Sequence, residues 1–149
     1  MLSHQAVDEF RHRWLPNMSS GGIDQLTRML KSASPQLLRG TFSPEVDTTA
    51  SDDYFELASS GCISTQAGWL HPATEQLHWD AGIAWLEDVV GVRISQSAVI
   101  DAWDSGQAIE AELSFLLEEE RARRIADARG AEKPAAASPD RYRRNSVST

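Results

Sequence analysis

A chain of 149 residues with 41% hydrophobic and 24% charged side chains has the size and balance of one ordinary domain with a real core, and no stretch approaches the roughly 20 apolar residues of a membrane-spanning helix. The net charge of −8 is uneven: 10 Lys and Arg stand against 20 Asp and Glu through Gly130, and Lys133, Arg141, Arg143 and Arg144 make the remainder basic. An acidic body disfavours phosphate backbones and anionic membranes, and one cysteine (Cys62) allows no intramolecular disulfide.

Residues 1–14 are interrupted by Asp8, Glu9, Arg11 and Arg13 and lack the apolar core of a secretory signal, so a cytoplasmic protein is expected. Ser3 reads as an N-cap with Leu2 and Val7 at staple positions. It opens a helix over about 4–14 that carries Val7, Phe10 and Trp14 on one stripe and is ended by Pro16. The segment 17–22 reads as a loop. A second helix over about 23–31 follows, with Ile23, Leu26, Met29 and Leu30 inside. Ser34 and Pro35 predict the cap and first position of a short third helix bearing Leu37 and Leu38, stopped by Gly40. The polar run 41–53, with Pro44, Glu45, Asp47, Asp52 and Asp53, reads as a loop.

A helix is expected from Tyr54 to about residue 70, with Phe55, Ala58, Cys62 and Trp69 on one face. Gly61 and Gly68 disfavour helix by about 1 kcal/mol each, which points to a break near Gly61. Pro72 opens the next helix, which runs to about residue 90 and stops at Gly91. Trp79, Gly82, Ile83, Trp85, Leu86, Val89 and Val90 cover a wide arc of it and leave Gln76, Asp80 and Glu87 a narrow polar strip, as in a central helix. Ile94, Ser95 and Val99 repeat the staple and cap before a short helix with Ala98, Val99, Ala102 and Trp103 inside, ended by Gly106. The last helix begins near Gln107 and buries Ile109, Leu113, Leu116 and Leu117. Past Glu118 its stripe positions become Glu120 and Arg124, so packing should end there, leaving Glu119–Arg123 and Glu120–Arg124 as pairs that modestly support a free helix. From Ala131 the Ala-, Pro-, Ser- and Arg-rich composition predicts disorder. No window alternates with period two, so the expected fold is all-α: a compact bundle of about six helices forming a single domain over 1–130, with a disordered C-terminal tail over 131–149.

Cys62, His71, Glu75 and His78 are candidate metal ligands, since thiolate, imidazole and carboxylate are the natural donors for zinc; the spacing matches no paired zinc motif. Glu75 and His78 form a single Glu-x-x-His unit, half of what a di-iron bundle uses on each helix pair. Cys62 as nucleophile, His71 or His78 as base and Asp80 as orienter are the candidate catalytic set. Set against these is a plainer reading, a core cysteine and polar groups at a helix start. The segment 83–103 reads as a helix-turn-helix, but its second helix carries Asp101, with Asp104 following, no Lys or Arg, and only Gln96 and Ser97 as base readers. Asp80, Glu87, Asp101 and Asp104 form an acidic face that suits a basic partner, or serves only to keep the chain solvated. Arg141, Arg143 and Arg144 beside Ser146 and Ser148 make a basic segment able to bind an acidic surface or accept phosphate.

Five tryptophans, the acidic body and the lack of a phosphate-binding glycine loop, nucleophile elbow or dinucleotide fingerprint lead to a non-enzymatic protein-interaction or regulatory module, with no cofactor and another protein as partner. The alternatives are a DNA-binding regulator using 83–103 and a metal- or thiol-dependent enzyme around Cys62, His71 and His78.

Overall fold

The computed structural model describes residues 1–39 and 61–137, with backbone alone at 78–79 and 131–137. Ser3 caps α1 (His4–Glu9) by accepting from Ala6 N at 3.1 Å. The helix then widens into a π turn, Phe10–Trp14, and tightens into a 3-10 turn, Leu15–Asn17, at Pro16. The π turn turns both Phe10 and Trp14 inward, with ring centroids 5.4 Å apart.

The next helix, α2 (Ser20–Ser32), starts earlier than its apolar stripe suggests, because Ser19 Oγ accepts from Gly22 N at 3.0 Å and draws the expected loop residues Ser20, Gly21 and Gly22 into the first turn. Ile23, Leu26, Met29 and Leu30 are buried, and Ala33, at φ 51°, ends the helix in the left-handed region. The short helix expected after Ser34 and Pro35 does not form. Leu37 N donates to Ser34 O in a turn, and Leu38 N donates to Gly61 O (2.8 Å) while Gly61 N donates to Gln36 O (2.9 Å) in an isolated parallel bridge. Backbone groups that would continue a helix are thus committed to a distant segment. Gly40, the run 41–53, and Tyr54, Phe55 and Ala58 lie outside the described residues.

Gly61 sits in the parallel bridge and Cys62 is extended ahead of α3 (Ile63–Trp69); the part of the expected helix before Gly61 lies outside the described residues. α3 is buried from Ile63 to Gly68. In place of one long helix over 72–90 there are three pieces: a 3-10 turn (Glu75–Asp80), α4 (Ala81–Ala84) and a second π turn (Trp85–Val90), closed by Gly91 at φ 82°. Trp85, Leu86 and Val90 are buried and Ile83 is exposed, so the wide apolar arc is only partly used. Trp85 packs edge-on against Trp14, 5.2 Å between centroids, and its Nε1 is buried with no hydrogen-bond partner among the described residues.

After a 3-10 turn (Ile94–Gln96) comes α5 (Ala98–Asp104). Its cap is Ser97, whose Oγ accepts from Ile100 N at 3.1 Å, and not the expected Ser95. The last helix is α6 (Glu110–Ala137), which covers the first residues of the expected tail; 138–149 lie outside the described residues. Two compact units result, Met1–Glu118 and the part from Glu119 on. The first holds the core: Phe10, Trp14, Leu26, Ile63, Trp85, Leu86, Val99, Ile109, Leu113 and Leu117. The described fold is all-α, with no strand beyond the one bridge.

Candidate functional site

Ile109, just before α6, and Leu113, Leu116 and Leu117 in its first turns are buried in the core, and helical geometry then leaves Ala111 and Phe115 on the outer side. Phe115 is 63% exposed. It separates two apolar grooves. The first, about 340 Å³, is walled by Leu2, Val7, Ala111 and Leu116, with Arg11 and Glu112 at its rim. The second, about 440 Å³, is walled by Leu30, Ala111 and Ser114, with Lys31, Glu110 and Glu118 at its rim. A lone exposed aromatic is unremarkable; one dividing two apolar depressions is a feature that partner surfaces share.

The rim carboxylates are ordered by the chain itself. Glu112 Oε1 accepts from Leu2 N at 2.9 Å, Glu118 pairs with Lys31, and Glu110 accepts from Arg39 Nη2 at 2.7 Å. Burial pushes the Glu110 carboxyl up, but its own backbone amide, Arg39 and the Ile109 amide together hold it below the usual range. Arg39 also lies over the Trp103 ring, 3.8 Å from guanidinium carbon to centroid, and donates to Trp103 O, while Trp103 Nε1 donates to Leu38 O at 2.7 Å.

A third groove, about 740 Å³ and polar, lies between α1 with its π turn and the 91–96 turn; Asp8, His12, Arg13, Arg93 and Gln96 are among its walls. Its two central charges serve the fold. Glu9 accepts from Trp14 Nε1 (2.8 Å), Ala98 N (2.7 Å) and Ser97 Oγ, and so caps the start of α5. Arg13 Nη2 donates to Val90 O (3.1 Å) and Gly91 O (3.0 Å), and so closes the end of the second π turn.

The residues singled out as metal or thiol chemistry are distributed as follows. Cys62 is buried, with its sulfur 3.1 Å from Ser64 Oγ and 3.7 Å from Thr65 Oγ1. Burial pushes the thiol up, and the hydrogen bonds from Ser64 and Thr65 only partly offset it. His71 Nδ1 accepts from Ala73 N at 3.1 Å, Glu75 is exposed, and the side chain of His78 lies outside the described atoms. Among the described residues no group of three or more His, Cys, Asp or Glu is arranged to hold a metal ion. In the 83–103 segment α5 buries Val99, Ile100, Ala102 and Trp103 and exposes Asp101 and Asp104, a surface that repels phosphate. Of the acidic face, Glu87 accepts from Ile94 N at 3.1 Å, and Asp80, Glu87, Asp101 and Asp104 are all exposed.

The sequence reading did not single out Phe115. Its signal was a large aromatic off the apolar stripe of α6, at a position where a solvated helix would carry a polar residue. No family model, no curated protein and no solved structure matches this chain.

Proposed function

We propose that this protein is a non-enzymatic interaction module and that it receives its protein partner across Phe115. The observation that carries this reading is the exposed phenyl ring set between two apolar grooves on a helix whose other face is locked into the core. Interface energy concentrates in a few aromatic anchors surrounded by contacts that exclude water, and the Phe115 surroundings have that composition. No helix of the described residues is long and apolar enough to cross a membrane. A buried, unpaired Cys62 suits a reducing compartment such as the cytoplasm. DNA recognition draws no support from the acidic exposed side of α5, and thiol catalysis draws none from a sealed sulfur.

The test is site-specific crosslinking in cells with a photoreactive phenylalanine at 115, compared with the same residue at Leu77 or Ile83, which are 40% and 36% exposed. A discrete crosslinked species at 115 and not at 77 or 83 is expected. Equal labelling at all three positions, or none at 115, sinks the reading.

A further inference from the structure

We infer that the partner at the Phe115 face is a second copy of this chain, held in a two-fold pair with the α6 helices antiparallel; the inference rests on the interaction reading above. A two-fold contact must be complementary to itself, so that a projection of one copy meets a depression of the other. The Phe115 face has both parts within about one helical turn. The ring, 63% exposed, is the projection. Ala111 precedes it by four residues, about 6 Å along α6, is exposed, carries only a methyl group and walls both grooves. A two-fold axis crossing α6 between these residues lays each Phe115 over the Ala111 of the other copy and opposes each groove to its own counterpart. Rings seated in this way leave water for grooves walled by Leu2, Val7, Leu30 and Leu116.

A net charge of −8 on each copy opposes self-association, so two copies can meet only where that charge is locally cancelled. The Phe115 face is such a place. Glu112 lies 3.6 Å from the N-terminal amine and shares its rim with Arg11, Glu118 pairs with Lys31, and Glu110 pairs with Arg39 at 2.7 Å. Both signs stand at each rim, so opposing a rim to its counterpart brings no block of like charge together. The face with Asp80, Glu87, Asp101 and Asp104 exposed would instead set acid against acid.

Sedimentation equilibrium of the full chain, from about 1 µM to about 1 mM, should show a monomer–dimer equilibrium. Phe115→Ser should raise its Kd at least tenfold, and Ala111→Gln, which fills the seat without adding charge, several-fold. Leu77→Ser should leave it unchanged, and circular dichroism checks that each variant is folded. Salt should tighten the pair, because screening acts on the net charge of each copy while the face itself is balanced. In an equal mixture with heavy-isotope chain, a photoreactive phenylalanine at 115 should attach to the heavy peptide that spans Ala111. Attachment only within its own chain, loosening by salt, or a dimer indifferent to both Phe115→Ser and Ala111→Gln overturns the inference. A chain that stays monomeric throughout, yet crosslinks in cells through 115 to a species that is not twice its own mass, overturns the second copy and leaves the interaction reading standing. Neither a dimer nor a cellular crosslink at 115 sinks both.

Discussion

A β-carbon built on Gly68 would sit 2.3 Å from the Ala81 carbonyl oxygen, and one built on Gly82 would sit 2.6 Å from Thr65 Oγ1 and 2.8 Å from the Thr65 Cα. α3 and α4 therefore touch backbone to backbone, each presenting a glycine to the other, and no side-chain rotation can make room. Gly68→Ala should destabilise the fold by about 2–3 kcal/mol in urea denaturation. Gly21→Ala, at an open position in the first turn of α2, should be neutral or stabilise by up to about 1 kcal/mol. Equal midpoints for the two variants would refute the close-approach account. From sequence Gly68 registers only as a poor helix residue, because the neighbour that requires it lies on another segment. The same holds for Cys62: the sequence identifies a reactive atom, while its burial is a property of the fold. The native thiol should react with a disulfide reagent orders of magnitude more slowly than in denaturant. With its ionisation raised in the folded state, the cysteine contributes stability below the ordinary thiol range (about 8.5) that is lost as pH rises from there through the folded value. Rapid stoichiometric labelling of folded protein would reopen thiol chemistry.

One helical stretch sets the ends of two others. Glu9 and Arg13 project from α1 and its π turn; the carboxylate receives the Ala98 amide at the start of α5, and the guanidinium covers the Val90 and Gly91 carbonyls. Each charge opposes the dipole of the terminus it meets. Removing the carboxylate leaves Trp14 Nε1 and Ala98 N without their acceptor, so Glu9→Ala should cost about 2–3 kcal/mol. Glu9→Gln, which keeps one acceptor oxygen, should cost less. Thermal melts separate the two, and an Ala variant as stable as the parent would disprove the capping role. This arrangement also explains why Ser97, and not Ser95, caps α5. Ser95 and Ser97 are equivalent N-caps by local pattern, and it is Glu9, 88 positions from Ser97, that selects Ser97. Likewise Ser34 and Pro35 satisfy the local grammar of a helix start, but Leu38 finds its acceptor at Gly61. Where the cap and the apolar stripe lie within one segment, as at Ser3 with Phe10 and Trp14 or in the run from Ile109 to Leu117, the sequence alone was sufficient.

At the scale of the molecule, the apolar stripe of α6 ends at Leu117 and the first compact unit ends at Glu118, so the limit of packing is legible in the pattern of leucines. The helix nonetheless continues to Ala137. Residues 121–130 are exposed apart from the half-buried Arg124, and hold together through Arg123 with Glu120 (2.7 Å) and Asp127 (2.6 Å) and through Arg124 with Glu120 (2.7 Å). Such pairs support a helix only modestly and buried apolar surface dominates folding, so the two units should melt separately. All five tryptophans (14, 69, 79, 85 and 103) lie before Glu118, so their fluorescence reports the first unit while far-ultraviolet ellipticity reports both. Heating should lower ellipticity gradually before a single cooperative fluorescence change. Acid should act on the early phase through Glu120, beside whatever it removes from the first unit through Glu110. Arg123, ahead of the opposing effect of burial, and Arg124 hold the Glu120 carboxyl below the usual range. A lowered carboxyl contributes stability that is present above its ordinary value, about 4.3, and disappears as pH falls through the folded one. Below about pH 4 the early loss of ellipticity should therefore deepen, and Glu120→Gln should reproduce at neutral pH what acid does to the parent. Coincident fluorescence and ellipticity transitions at every pH would mean that the helix beyond Glu118 folds as part of the core, and the division into two units would have to be abandoned.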